Sequence, residues 1–125
     1  MAARSSPPKP GLERLKKRAD FLRAQKGVRR VTPSLTLEAC ASDGALKVGF
    51  TASRKVGNAV ARNRAKRRLR AAAAAILAEN GVAGRDYVLV ARPGTLDRPF
   101  QDLLSDLAAA LKAAHLKLDA EGTKP

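Results

Sequence analysis

Residues 58–77 read NAVARNRAKRRLRAAAAAIL. The spacing is helical, yet six of the nine residues from Arg62 to Arg70 are cationic: Arg62, Arg64, Lys66, Arg67, Arg68 and Arg70. Like charges three and four apart on a helix repel by about a few tenths of a kcal/mol per pair. At about 100° per residue, Ala61, Ala65, Leu69, Ala72 and Ile76 fall within one arc of roughly 80°, and that arc is the expected core face. Asn58 suits the N-cap, and Asn80-Gly81 should end the helix near Glu79. No acidic residue lies between Asp43 and Glu79, while Lys47, Arg54, Lys55 and the six helical residues are all cationic. A surface laced with ion pairs would carry both signs. Cations near a helix N-terminus also oppose its macrodipole. A phosphate bound at that end would offset both penalties.

The rest of the chain carries the same charge imbalance. Its 125 residues suffice for one domain, and 25 Lys+Arg against 11 Asp+Glu leave a formal charge of +14. Self-repulsion of that size is relieved by a polyanion. No apolar run approaches the roughly 20 residues that span a bilayer. MAARSSPPKPG at the N-terminus lacks a hydrophobic signal segment, so the expectation is a cytoplasmic chain. The single cysteine, Cys40, cannot form an internal disulfide and reads as a small buried hydrophobe.

Residues 1–10 and 119–125 read as disordered tails around a single domain over 11–118. Residues 11–26 read as a first helix, with Leu12, Leu15, Ala19 and Leu22 on one stripe and Gly27 at its end. VRRV (28–31) is a short strand broken by Pro33. In 34–40, Leu35, Leu37 and Ala39 alternate with Thr36 and Glu38, as in a half-buried strand. Ser42, Asp43 and Gly44 suggest a hairpin into 46–53. There Leu46, Val48, Phe50 and Ala52 face a core, and Lys47, Gly49, Thr51 and Ser53 face away. YVLVAR (87–92) is an apolar strand after the long helix, which predicts a parallel strand-helix-strand unit. PGTLDRP reads as a loop into a last helix starting near Pro99. The expected fold is an α/β (α+β) two-layer sandwich, ordered helix, three strands, helix, strand, helix.

Two further features bear on function. Phe21 falls off the stripe of the first helix, among Arg14, Lys17, Arg18 and Gln25. An exposed ring beside cations suits single-stranded RNA, through base stacking and phosphate neutralisation; packing under a neighbouring loop is the plainer possibility. Phe50, Tyr87 and Phe100 read as core. The catalytic inventory is poor. His115 sits at the edge of an apolar stripe, Asp102 and Asp106 read as solvating, and the scattered carboxylates do not suit a metal nuclease. The residues alone therefore describe an RNA-binding module without chemistry of its own. A membrane-surface role lacks a bulky apolar face to insert.

KVGFTASRKVGNAVARNRAKRRLRAA (47–72) resembles the protein subunit of bacterial ribonuclease P, whose mark is a strand, a basic Gly-Asn turn and Arg-Asn-Arg on a long cationic helix. RLKKRADF (14–21) and RDYVLVAR (85–92) are similar to the family's too. The resemblance implies a ribosomal protein S5 domain 2-like sandwich, with a mixed sheet of about four strands and a left-handed βαβ crossover. It implies a ribonucleoprotein endonuclease that removes the 5′ leader from precursor tRNA, with the chemistry and its Mg²⁺ ions in the RNA subunit. The protein would have no catalytic or metal-binding residue, no small-molecule substrate and no membrane partner. It would contact the catalytic RNA through Arg54, Lys55, Asn58, Arg62, Asn63, Arg64, Lys66, Arg67, Arg68 and Arg70. It would hold the leader in a cleft lined by Arg14, Lys17, Arg18, Phe21, Gln25, Thr36, Glu38, Lys47, Thr51 and Ser53. Some relatives carry aromatics aligned with Gln25 and Leu35, so stacking here would rest on Phe21. A general RNA-binding or ribosomal protein of the same fold is the alternative.

Overall fold

A computed structural model describes residues 13–42, 46–82 and 84–122. The elements run β1 (Glu13–Arg14), α1 (Arg18–Gln25), β2 (Val28–Val31), β3 (Leu35–Ala41), β4 (Lys47–Ala52), α2 (Ala59–Asn80), β5 (Arg85–Ala91), α3 (Pro93–Asp97) and α4 (Phe100–Gly122). Four long strands and the two-residue β1 form one mixed sheet in the order β1-β4-β5-β3-β2. β4 and β5 are parallel neighbours joined through α2, and β5–β3 and β3–β2 are antiparallel.

The hairpin expected between β3 and β4 does not form, because β5 lies between them. Tyr87, Val88 and Leu89 are all buried, so β5 has apolar side chains for both faces and takes a central place. The expected turn at Asp43 and Gly44 lies outside the described residues. The antiparallel hairpin is instead β2–β3, turning at Thr32–Ser34, where Thr32 N bonds Leu35 O at 2.8 Å.

The first helix starts later than its spacing suggests. Residues 13–14 pair with Lys47 and Val48 of β4, and Leu15 N continues the pairing to Val48 O at 2.9 Å. Leu15 thus belongs to the sheet edge, and the stripe counted through it has no helical meaning. In α1, Ala24 is buried and Phe21 half-buried against the sheet, while Ala19 and Leu22 are exposed. Leu12 and the tails 1–10 and 123–125 lie outside the described residues. Residues 119–122 are the last turn of α4, where Asp119 pairs with Arg85. PGTLDRP is not a plain loop: α3 fills 93–97, and Thr95 Oγ1 accepts from Arg92 N at 3.0 Å and donates to Ser34 O.

α2 follows its sequence closely. Asn58 Oδ1 accepts from Ala61 N at 2.9 Å, and Gly81 N bonds Leu77 O at 2.8 Å. Gly57 supplies the turn before the cap, with φ +145°, where a side chain would be strained. The buried face comprises Ala65, Leu69, Ala72, Ala73 and Leu77; Ala61 and Ile76 lie at its margins. With Leu103, Leu107, Leu111, Ala114 and Leu118 of α4, it packs on Leu35, Leu37, Ala39, Val48, Tyr87 and Leu89 of the sheet. Leu35, the position aligned with a stacking aromatic, is therefore core. A separate small cluster of Leu15, Ala24, Cys40 and Val88, with Phe21 and Val90 against it, lies on the other face beneath α1.

Polar contacts tie these layers together. Tyr87 is fully buried; its hydroxyl accepts from Val82 N at 3.2 Å and shares a hydrogen bond of 2.6 Å with His115 Nε2. Asp102 and Asp106 do more than solvate α4. Arg98 lies 3.7 Å from Asp102 and 3.3 Å from Asp106, and Ser34 Oγ donates to Asp106 at 2.6 Å. Burial and the nearby Arg85 push the His115 pKa below its ordinary value. The folded chain thus resists a proton that the unfolded chain accepts near pH ~6.5, so this stabilisation is full above that pH and declines below it. Thermal unfolding from about pH 7 to 5.5 should show a falling midpoint, and the fall should be shallower in His115→Gln. Equal slopes would remove His115 as the cause.

Candidate nucleic-acid interface

The face of the sheet opposite α2 and α4 is open beyond α1. Strand alternation places Cys40, Glu38 and Thr36 of β3, Asp86, Val88 and Val90 of β5, and Lys47, Gly49 and Thr51 of β4 on that face. α1 covers one side of it and is held there by an ion pair between a half-exposed arginine and a buried carboxylate. Asp86 is 0% exposed; its Oδ2 accepts from Arg23 Nη2 at 2.9 Å and its Oδ1 from Ser42 Oγ at 2.9 Å. Arg23 also meets Asp20 at 3.0 Å. Removing Arg23 would leave a buried carboxylate short of a donor, which is the expensive direction for such pairs.

Between α1 and the exposed strands lies a cleft of about 860 Å³. Its floor is Val88, Val90 and Ala52; Phe21 and Leu22 form an apolar wall; Lys16, Arg18, Lys26 and Arg29 supply cations. Glu38, Thr51, Ser53 and Gln25 complete it. Of the expected leader-binding residues it therefore gathers Arg18, Phe21, Gln25, Glu38, Thr51 and Ser53. Arg14 and Lys17 are exposed but do not line it. Thr36 is on the right face but buried between Val31 and Val90, and Lys47 sits in register with Asp86, away from the lining. Lys16, Lys26 and Arg29 join the site only through the fold, since nothing in their local spacing tells of a shared cavity. Leu22, expected on the core stripe, is 43% exposed.

Phe21 reconciles its two possible roles. One edge packs on the sheet directly over Gly49, while the ring remains half-exposed to the cleft. Glycine at 49 is what admits the ring there. Among the described residues Glu38 is the one carboxylate lining the cleft, and burial pushes its pKa up while Arg29 draws it back.

The second surface is the outer side of α2. Val60, Asn63, Lys66, Arg67 and Arg70 line a shallow groove of about 300 Å³, with Arg64 exposed beside it. Arg54 and Lys55 are exposed in the turn that leads from Ser53 into the helix. Three of the expected RNA contacts have hydrogen-bond partners within the fold. Asn58 directs its carbonyl oxygen to the cap, and Arg62 Nη1 donates to Gly57 O at 3.2 Å. Arg68 Nη2 donates to Arg98 O at 2.6 Å, with its guanidinium 5.7 Å from the Phe100 ring centre. Arg68 is thus a brace to the start of α4, and Phe100 is a partly exposed platform for it rather than core. Arg70 lies 5.7 Å over the half-buried Phe50.

Among the described residues, no group of three or more His, Cys, Asp and Glu could hold a metal ion, and no helix is long and apolar enough to cross a membrane. A family model described as Ribonuclease P matches residues 10–115. A ribonuclease P protein component from Paramagnetospirillum magneticum is 52% identical over 108 residues, 81% of each chain. One from Ruegeria pomeroyi is 50% identical over 110 residues, 84% of this chain and 88% of the relative. The solved RNase P protein of Staphylococcus aureus has a TM-score of 0.66 at 30% identity, covering 81% of this chain and 94% of that one. The Thermotoga maritima RNase P protein shares the fold, with a TM-score of 0.69 at 24% identity, covering 81% and 96%.

An added Cβ at Gly49 would lie 2.6 Å from two ring carbons of Phe21. Gly49→Ala should cost about 1–3 kcal/mol in urea unfolding through overpacking. In a Phe21→Ala background most of that cost should vanish. An undiminished cost would mean the ring does not rest on this glycine.

Proposed function

The chain belongs to the bacterial ribonuclease P protein family, and from that premise we propose a division of labour between its two surfaces. It is the protein subunit of an endoribonuclease that acts in tRNA processing. The outer face of α2, with Asn63, Arg64, Lys66, Arg67 and Arg70, together with Arg54 and Lys55, contacts the catalytic RNA. The cleft between α1 and the sheet holds the 5′ leader of precursor tRNA. Mg²⁺ and bond cleavage belong to the RNA. The protein contributes binding energy that mature tRNA, lacking a leader, does not recruit.

The observation that carries this reading is the cleft itself: an apolar floor and a half-exposed aromatic side chain bordered by cations. Extended single-stranded RNA has both a stacking face and a phosphate backbone to offer such a site. A folded duplex does not expose its bases in that way. Ser53 ends the cleft and Arg54 begins the cationic turn, so one RNA-facing surface continues into the other.

With the protein bound to its RNA subunit, Phe21→Ala should weaken precursor tRNA by about ten-fold, the worth of one stacked base. Mature tRNA should bind as before, which also controls for loss of fold. Equal losses for both ligands would assign Phe21 a purely structural role.

A further inference from the structure

Glu38 is out of place in a site built for a polyanion. It is 5% exposed on the floor of the cleft, and its negative charge opposes the phosphates that the surrounding cations attract. A buried carboxylate normally has a partner, as Asp86 has in Arg23 and Ser42. Among the described residues the Glu38 side chain has no hydrogen-bond partner; its one cationic neighbour, Arg29, stands opposite it on β2 and acts through space. Its oxygens are therefore available to whatever enters the cleft.

The surroundings describe a slot for one base. In register across the sheet lie Arg29, Glu38, Val88 and Gly49, with Phe21 standing over Gly49. Neighbouring strands are about 4.8 Å apart, so Glu38 and the Phe21 wall are separated by roughly two strand spacings; Val88 lies buried between them, and the part-exposed Val90 beside it on β5 is the apolar bed. A base lying there would turn one edge to Glu38.

We propose that Glu38 is a specificity-determining residue that selects guanine at one position of the single-stranded RNA, its carboxylate accepting from both N1–H and N2–H of the base. An ionised carboxylate can only accept hydrogen bonds. Guanine is the base whose Watson–Crick edge presents two adjacent N–H donors. Adenine and cytosine present one donor beside an acceptor, and uracil one donor between two carbonyls, so each leaves one carboxylate oxygen facing a lone pair or nothing. Single-stranded bases expose this edge, and a low-dielectric floor sharpens the discrimination. The inference rests on the cleft being the leader site.

The test uses the full chain bound to its RNA subunit, with precursor tRNAs whose leader is all uridine except for one guanosine moved through successive positions. At one position guanosine should tighten binding by about ten-fold, the usual worth of a bidentate pair. Inosine there, which lacks only the N2 amino group, should lose most of that gain. E38Q keeps the size of the side chain but replaces one acceptor by a donor; it should bring guanosine and inosine to near parity. Thermal unfolding of E38Q reports that the variant is folded. Guanosine and inosine binding alike at every position, or a guanosine preference that survives in E38Q, would overturn the inference while leaving the cleft reading intact. A leader that adds no affinity over mature tRNA, whatever its bases, would overturn the cleft reading and this inference with it.

Discussion

Everything in this molecule is arranged around a helix whose charges are not balanced within the chain. α2 crowds six cations into nine residues, and no acidic side chain lies in its first turn. The fold tolerates this because the helix needs only a narrow seam for packing. Ala65, Ala72 and Ala73 bring its backbone close to the sheet, and Leu69 and Leu77 fill the gaps that remain. A helix with bulkier core residues would stand further off and bury more surface. It would also have less outer face left for cations. Alanine has the highest helix propensity, which helps the backbone hold against the repulsion.

The cations divide into two populations. Arg23, Arg62, Arg68, Arg85 and Arg98 hold the protein together: each has a backbone or carboxylate partner. Arg68 and Arg98 work as a pair, since Arg68 binds the carbonyl of the residue whose side chain holds Ser34 and Asp106. Arg64, Arg67, Arg54 and Lys55 are exposed. The distinction matters for reading any basic protein. A count of Lys and Arg overstates the surface offered to a polyanion by the number engaged internally.

Local signals carry much of the architecture. The Asn58 cap, the Gly57 turn, the alanine-leucine seam and the alternation in β3 and β4 all act over a few residues and appear where the chain predicts them, although β3, expected to be half-buried, is buried on both faces. The differences arise from pairings made at a distance. A turn-rich segment between two alternating strands looks like a hairpin until a third strand, apolar on both faces, claims the space between them. Leu15 fits a helical stripe by spacing, yet its backbone pairs with β4. The Arg23–Asp86 pair that docks α1 spans 63 residues, so no local window could reveal it. The cleft inherits this dependence on distant pairings, since it exists only where α1 meets the sheet. The cationic helix, being one continuous segment, is readable almost entire.

The most direct measurement is the salt dependence of binding to the RNA subunit across single substitutions on α2. Each phosphate that a substitution leaves without its cation should lower the slope of log K against log salt by about one. Arg64→Ala and Arg67→Ala should each do so with little change in stability. Arg68→Ala should keep the slope and lower the unfolding midpoint instead. Slopes unchanged by Arg64→Ala and Arg67→Ala would contradict the claim that this helix is shaped to face a polyanion.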